Sequence, residues 1–196
     1  KDWLNDIENI WKELPRYDQI GPLVSKNKEY LHSADVIKVL NTKLTDDAVI
    51  VTDVGAGLLT GHYMYEAKGT QRFFTSQGLG EMGFGLPAAI GAHFADPSKQ
   101  IVCLNTDGAI MFNLQELQVV VEHKIAMKLF IFNNSGYSMI RISQENLFEG
   151  RLAGSTVDSG VSFPKFEDIA KAFRAEATIE IDKEVVKLKV SQRIGQ

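Results

Sequence analysis

Two apolar runs constrain this chain more than anything else in it. Gln100-Ile-Val-Cys-Leu-Asn105 and Lys128-Leu-Phe-Ile-Phe132 lack polar/apolar alternation, so each reads as a strand with both faces buried. Such strands occur almost only in parallel sheets covered by helices on both sides. The surrounding pattern agrees. Ser33 can cap a helix carrying Val36, Ile37, Leu40 and Leu44, and residues 48–52 form a short β-rich run. Residues 58–65, 86–94, 114–123 and 164–173 read as helices, with Pro87 in a first turn, and residues 178–181 as a short strand. Strands alternating with helices imply βαβ units, hence an α/β fold: a three-layer α/β/α domain with a mostly parallel sheet. Ligands of such sheets sit at the carboxyl ends of the strands. Three polar or Gly-rich clusters fall there: residues 53–57, 106–109 and 133–136.

The remaining sequence bounds the alternatives. Residues 1–32 read as a lead-in helix and linker, with Trp3, Leu4, Ile7, Ile10, Trp11 and Leu14 at helical spacing before Pro15 and a loop over 16–31. Residues 33–196 form the main domain. The chain opens on Lys1, and it reads as a fragment of a larger multidomain enzyme. Net charge is −4 with no basic stripe, which disfavours nucleic acid as a partner. No apolar run is long enough to cross a bilayer, so no membrane association is expected. Cys103 is the single cysteine; it excludes an intramolecular disulfide and a multi-cysteine zinc site, and it fits a cytoplasmic setting. Lying mid-strand, it reads as an inert buried thiol.

Two clusters carry the chemistry. Thr106-Asp107-Gly108 follows one buried strand and Asn133-Asn134 the next, with twenty-four residues between Gly108 and Asn133. That is room for one helix and a return strand, so both should meet at one sheet edge. Asp107 offers a charged oxygen, Asn134 a neutral carbonyl, and the main chain near Gly136 a third oxygen. Hard cations such as Mg²⁺ want oxygen donors, six of them at roughly 2.1 Å. Three protein ligands leave places for two phosphate oxygens and a water. Gly108 lets the backbone approach closely, and the Gly108 and Ala109 amides at the next helix start are placed to bind phosphate. Taken singly, Asp-Gly is an ordinary turn and Asn-Asn an ordinary loop cap; their spacing after two buried strands favours a shared ion.

This arrangement resembles the signature of thiamine-diphosphate enzymes, usually Gly-Asp-Gly followed by Asn-Asn. Gln77-Gly-Leu-Gly-Glu-Met-Gly-Phe-Gly-Leu-Pro-Ala-Ala-Ile-Gly91 is similar to the segment preceding that signature in acetolactate synthases and their relatives, and Phe148-Glu-Gly-Arg151 is similar as well. The resemblance covers roughly residues 33–180 and is to the family's carboxy-terminal, diphosphate-binding domain. It implies Mg²⁺ held by Asp107, Asn134 and the Gly136 carbonyl. It implies that Met82 wedges between the cofactor rings, that the Gly80 carbonyl accepts from the aminopyrimidine, and that Gly55, Ala56 and Gly57 contact the diphosphate. Met82 as plain core filler and the Gly55–Gly57 stretch as a plain turn are the competing readings. The resemblance further implies a homodimer or homotetramer in which a second subunit supplies the pyrimidine-binding domain and an activating glutamate. No catalytic residue is then expected in this fragment, which alone should bind diphosphate weakly and turn nothing over. It also implies 2-keto acid substrates, pyruvate being converted to 2-acetolactate as in branched-chain amino acid biosynthesis. Many acetolactate synthases carry FAD in a middle domain, and FAD is accordingly a candidate in the full-length protein.

The sequence departs from that pattern at three places. Thr106 replaces a Gly, Ala56-Gly57 replaces a Gln-His pair, and Ser143 stands where acetolactate synthases have a Trp that shapes the acceptor pocket. Another thiamine-diphosphate decarboxylase or lyase of different substrate, or a non-catalytic module on the same fold, stays open. Gly78-Leu-Gly80-Glu-Met-Gly83 also satisfies G-x-G-x-x-G, but residues 72–77 do not read as the preceding Val/Ile-rich strand, Pro87 falls before a helix matures, and no acidic residue stands near position 100. Of four histidines only His62, shortly after Gly57, falls near the expected cleft. His93, His123, Glu116 and Glu122 read as surface residues. Ser135 and Ser138 lack a His-Asp pairing.

Overall fold

The structure is a computed structural model that describes residues 2–14, 33–175, 179–182 and 185–188. Helix α1 (Asp2–Glu13) forms as its periodicity requires, yet none of its residues is buried. Trp3, Leu4, Ile10, Trp11 and Leu14 remain exposed. The linker expected at 16–31 lies outside the described residues.

The body follows the order α2 (Ser33–Lys43), β1 (Val49–Thr52), α3 (Ala56–Met64), β2 (Arg72–Thr75), α4 (Gly85–Ala95), β3 (Ile101–Thr106), α5 (Asp107–Ile110), α6 (Leu117–Glu122), β4 (Met127–Phe132), α7 (Ser138–Leu147) and α8 (Phe166–Ala172). The four strands form one parallel sheet in the order β2-β1-β3-β4, with Val49 beside both Arg72 and Ile101, and Ile101 beside Met127. One face packs Val49, Val51, Ile101, Cys103, Met127 and Leu129 beneath Leu86 and Ile90 of α4 and Val120 of α6. The other packs Ala48, Ile50, Val102, Leu104 and Phe130 against Val36, Ile37 and Leu40 of α2. The strands thus keep a two-residue side-chain period while both faces are apolar, which is why the sequence shows no alternation. Among the described residues the result is the expected three-layer α/β/α domain.

The chain runs from β1 outward to β2, then crosses back over β1 to β3. The strand order therefore reverses between β1 and β3, and the crevice of such a sheet opens at their carboxyl ends.

Several local expectations need correction. Residues 72–75 are a strand after all: β2 sits at the sheet edge, half-buried rather than core, so its Arg-Phe-Phe-Thr lacks a buried-strand composition. The G-x-G-x-x-G segment consequently does lie between a strand and a helix. What separates it from a dinucleotide loop is that α4 starts only at Gly85, beyond the last glycine of the motif. Helix α7 is absent from the sequence reading although its apolar residues recur at helical spacing; Met139, Ile140, Ile142 and Leu147 are all exposed. Ser33 does not cap α2 from outside; it is the helix's first residue, and its Oγ lies 2.7 Å from Thr60 Oγ1 of α3. The strand near residue 180, β5 (Ile179–Asp182), pairs antiparallel with β6 (Val185–Leu188) in a separate two-stranded sheet. It does not extend the parallel one; Thr178 lies outside the described residues.

Candidate functional site

Four loops leave the strands at the same edge, and the first corner they form joins β3 to β4. Asp107 begins α5 directly after β3 and is only 1% exposed. Its Oδ1 accepts from the Gly108 amide at 2.8 Å, and its Oδ2 from the amides of Asn134 at 3.1 Å and Gly136 at 3.2 Å. The two clusters that the spacing brings together are therefore in direct contact. Burial pushes the Asp107 carboxyl above its ordinary range, while the surrounding amides, Gly108 foremost, pull it back. A nearby cation would favour its charged form.

Backbone geometry sharpens this corner. Ser135, between Asn134 and Gly136, has φ +57°, a left-handed conformation rare for a residue with a side chain. Its amide donates to Asn133 Oδ1 at 3.1 Å, which holds the turn. The Asn134 side chain is exposed, its Nδ2 lying 3.3 Å from Ser138 Oγ. A Cβ on Gly136 would overlap the carbonyl oxygen of Ser155, and one on Gly108 would overlap the Tyr137 ring. Both glycines are thus required by close approach and not by turn geometry alone. The residues fit a hard divalent ion: one buried carboxylate, one amide side chain and an adjacent main-chain oxygen, with no cationic group among them. No cluster of three or more His, Cys, Asp or Glu occurs among the described residues, so a softer ion with several nitrogen or sulfur ligands is not the match.

The second corner joins β1 to β3. Gly55, at φ +112°, precedes α3, and no side chain caps that helix's first amides. Its α-carbon lies against Thr106, where an added Cβ would come within 2.9 Å of the threonine methyl. Gly57 lies equally close to the Phe132 ring and Leu104. Thr106 explains why a threonine serves where a glycine is usual. Its φ of −122° suits any residue, and its Oγ1 accepts from the Ala109 amide at 3.3 Å and lies 3.4 Å from the Val54 carbonyl. The amides of Gly108 and Ala109, expected to face phosphate, are both engaged by side-chain oxygens of the same turn.

The third element is the 76–84 loop, which carries Gly80 and Met82. Met82 is 37% exposed and Leu79 is 89% exposed, so neither is core filler. Gly80 has φ +68° with open space where a Cβ would be. The loop is tied down at its base. The Gly83 carbonyl accepts from Asn113 Nδ2 at 2.7 Å, and the amides of Gly83 and Gly85 donate to Asp53. Ser76 and Glu81 hydrogen-bond across it.

Sequence reasoning placed Asp53 in the 53–57 cluster without giving it a role, and it missed Asn113 and Tyr137. Asp53 carried a readable signal: like Asp107 it follows Thr at the end of a fully buried strand. His62, by contrast, stands edge-on to Phe73 of β2, its ring centroid 5.1 Å away, beside mid-strand and not in the crevice. Cys103 is fully buried, as expected, and burial above all, with the Asp53 charge adding, raises its thiol far beyond the ordinary range. It should therefore resist thiol reagents at pH 8 in the folded protein and react fully only in denaturant; labelling at the folded-state rate of a free thiol would contradict its burial. Among the described residues, no helix is long and apolar enough to cross a membrane.

A doubly wound sheet whose switch point gathers glycine-rich turns, uncapped helix amides and a buried carboxylate beside an Asn-bearing turn defines a class: an α/β domain whose strand ends form a ligand-binding crevice. Comparison narrows the class. Residues 53–192 match the family described as "Thiamine pyrophosphate enzyme, C-terminal TPP binding domain", and the chain belongs to it. It is 34% identical over 168 residues to the acetolactate synthase large subunit of Porphyra purpurea, covering 85% of this chain and 28% of that one. It is 34% identical over 188 residues to that of Parasynechococcus marenigrum (strain WH8102), covering 94% and 28%, and 34% identical over 171 residues to the isozyme 2 large subunit of Escherichia coli (strain K12), covering 85% and 28%. Among solved structures it is similar to a Rhodococcus jostii RHA1 thiamine diphosphate-dependent 4-hydroxybenzoylformate decarboxylase, with a TM-score of 0.71 and 25% identity over 82% of this chain and 29% of that one. The chain thus spans under a third of the length of these relatives.

Proposed function

We propose that the full-length protein is a Mg²⁺- and thiamine-diphosphate-dependent enzyme that decarboxylates a 2-keto acid and joins the two-carbon unit to a second one, as acetolactate synthases do. The observation that carries the reading is the contact of Asp107 with the Asn134–Gly136 turn at the sheet's switch point. In this reading Asp107, the Asn134 side chain and the Gly136 carbonyl hold the metal. The α3 amides after Gly55 and the turn after Thr106 receive the diphosphate, with Gly55, Ala56 and Gly57 along one side and Gly108 and Ala109 along the other. The two latter amides would exchange their present side-chain acceptors for phosphate oxygens. Gly80 and Met82 face the cofactor's organic part. Bound there, thiamine diphosphate supplies an electron sink for cleavage of the bond beside a 2-keto group. The chain's own part is to orient that group, neutralise the diphosphate and exclude water with the exposed Met82, Leu79 and α7 surface.

A second subunit completing the site is part of this reading, because Leu79 and Met82 of the 76–84 loop and Met139, Ile140 and Ile142 of α7 are left uncovered. FAD, if carried, is assigned outside this domain, since none of these residues is needed for it. The substrate is where relatives diverge. The exposed Ser143 donates its hydroxyl to the Met139 carbonyl at 3.0 Å, where acetolactate synthases have a Trp that shapes the acceptor pocket. Another thiamine-diphosphate-dependent decarboxylase or lyase of different substrate is the alternative that this replacement favours.

Titration of the protein with thiamine diphosphate should show binding that strengthens at least ~10-fold when Mg²⁺ replaces chelator, one decade being about 1.4 kcal/mol. Binding indifferent to Mg²⁺ would remove the metal corner from the reading. A product assay of the full-length protein with pyruvate should yield 2-acetolactate; carbon dioxide and free aldehyde alone would assign the alternative. The isolated 196-residue chain should turn over nothing, and activity without a partner domain would overturn that expectation.

A further inference from the structure

The sheet edge carries two buried Thr-Asp pairs, and the metal corner uses only one. Asp53 follows Thr52 at the end of β1 and is fully buried, one strand away from Asp107. Its carboxylate is saturated by backbone amides. Oδ1 accepts from Val54 at 2.8 Å, both oxygens accept from Gly83 at 3.1 Å, and Oδ2 accepts from Gly85 at 2.7 Å. A cap for α4 would need only the Gly85 bond, since Gly85 begins that helix. The bonds to Gly83 reach back beyond the helix onto the loop that carries Gly80 and Met82.

Inside that loop the Ser76 carbonyl accepts from the Leu79 and Gly80 amides and the Ser76 hydroxyl bonds to Glu81, so the segment holds its own shape and its placement falls to its ends. No protein atom lies within 4 Å of the Cβ positions of Gly78 or Gly80, and Leu79 and Met82 are exposed. Its fixed end is a narrow passage. A Cβ on Gly85 would come within 2.9 Å of Asp53 Cβ, and one on Gly83 within 2.8 Å of Phe112 Cβ and Asn113 Nδ2. Gly83 itself turns at φ +95°. The loop is therefore clamped between the Asp53 carboxylate on one side and Asn113 on the other, and its free part projects from that clamp.

We propose that Asp53 is a positioning residue whose carboxylate sets the height and orientation of the Gly80–Met82 segment against the cofactor, so that it governs cofactor activation and leaves metal-dependent anchoring nearly untouched. This rests on the reading that Gly80 and Met82 face bound thiamine diphosphate. Metal-dependent anchoring depends on Asp107 and the Asn134–Gly136 turn, which Asp53 does not touch; of the diphosphate turn after β1, Asp53 holds the Val54 amide ahead of Gly55. Activation depends on how the cofactor's two rings are held, and misplacement by about 1 Å costs such a step on the order of 10²-fold.

The test uses the full-length protein and the variants Asp53→Asn and Asn113→Ala. Asp53→Asn keeps the shape but presents an NH₂ where Gly83 or Gly85 needs an acceptor. It should leave the Mg²⁺-dependent thiamine diphosphate affinity within ~10-fold of wild type while slowing exchange of the bound cofactor's C2 proton, followed by NMR in D₂O, on the order of 10²-fold. Asn113→Ala removes the opposite tether without touching a buried charge and should slow the same exchange about 10-fold, as loss of a supporting contact does. Without any cofactor, the Gly83 and Gly85 amides of Asp53→Asn should lose hydrogen-exchange protection while those of β3 keep theirs. An unchanged C2 exchange rate in Asp53→Asn, or unchanged protection of the two amides, overturns the proposal. Should Asp53→Asn fail to fold, an unchanged rate in Asn113→Ala overturns it instead. A wild-type protein that binds no thiamine diphosphate overturns the functional reading, and amide protection then decides the clamp separately.

Discussion

Asp107→Ala is expected to abolish metal-dependent cofactor binding while leaving the sheet folded. The carboxylate is the one charged donor in the corner, and removing one partner of a buried charge pair costs about 3–5 kcal/mol, or on the order of 10³-fold in affinity. Three amides, those of Gly108, Asn134 and Gly136, lose their acceptor at the same time. Only Asn134 lies on the exposed side of the turn and can recruit water; the buried Gly108 and Gly136 amides lose their acceptor outright, at about 1–3 kcal/mol each, so the thermal midpoint should fall as well. Titration with thiamine diphosphate at fixed Mg²⁺, alongside thermal unfolding, separates the two effects. An Asp107→Ala protein whose binding still responds to Mg²⁺ as wild type does would take the ion away from this corner.

Gly136→Ala should damage both quantities together. Its added methyl meets the Ser155 carbonyl oxygen, which is backbone and cannot rotate away. Gly136 bridges Thr156, and the Tyr137 amide donates to Ser155 at 2.9 Å, so the clash falls on the contact that pins this turn to its neighbour. Overpacking of this kind costs about 1–3 kcal/mol. The cheapest relief is to shift residues 134–136 outward, which carries the Asn134 and Gly136 oxygens away from Asp107. We expect a drop in unfolding midpoint of that size and a loss of Mg²⁺-dependent affinity on the order of 10²-fold, as displacement of a liganding group by about 1 Å produces. The pair of variants is diagnostic in binding: Asp107→Ala abolishes the response to Mg²⁺, whereas Gly136→Ala weakens it and keeps it. A Gly136→Ala protein of wild-type stability would mean that the turn accommodates a side chain and that its close packing is incidental.

The family relationship and the geometry bear on different claims. Matching over residues 53–192 assigns the domain and its cofactor class. The relatives are about three times as long as this chain, so the match leaves reaction and substrate to the proposal. Ser143, on the exposed surface of α7, is where those questions meet this domain.

What the sequence determined by itself was the arrangement that follows from burial and spacing. Residues 100–105 and 128–132, observed as strands over 101–106 and 127–132, had to be parallel strands because apolar side chains on both faces can be buried only beneath helices on both sides. Their following clusters had to share an edge because the intervening segment holds one helix and one return. Asp107, Asn134 and Gly136 were legible for that reason, and their contact depends only on connectivity. The tertiary structure alone decided what depends on distant segments touching. Edge strand β2 has no compositional mark because one flank of it is solvent. Asp53 looks like an ordinary strand-end carboxylate until Gly83 and Gly85, some thirty residues on, deliver their amides to it. Hydrogen bonds across that separation leave no periodicity in the chain; they exist only once the sheet has brought the end of β1 beneath the start of α4.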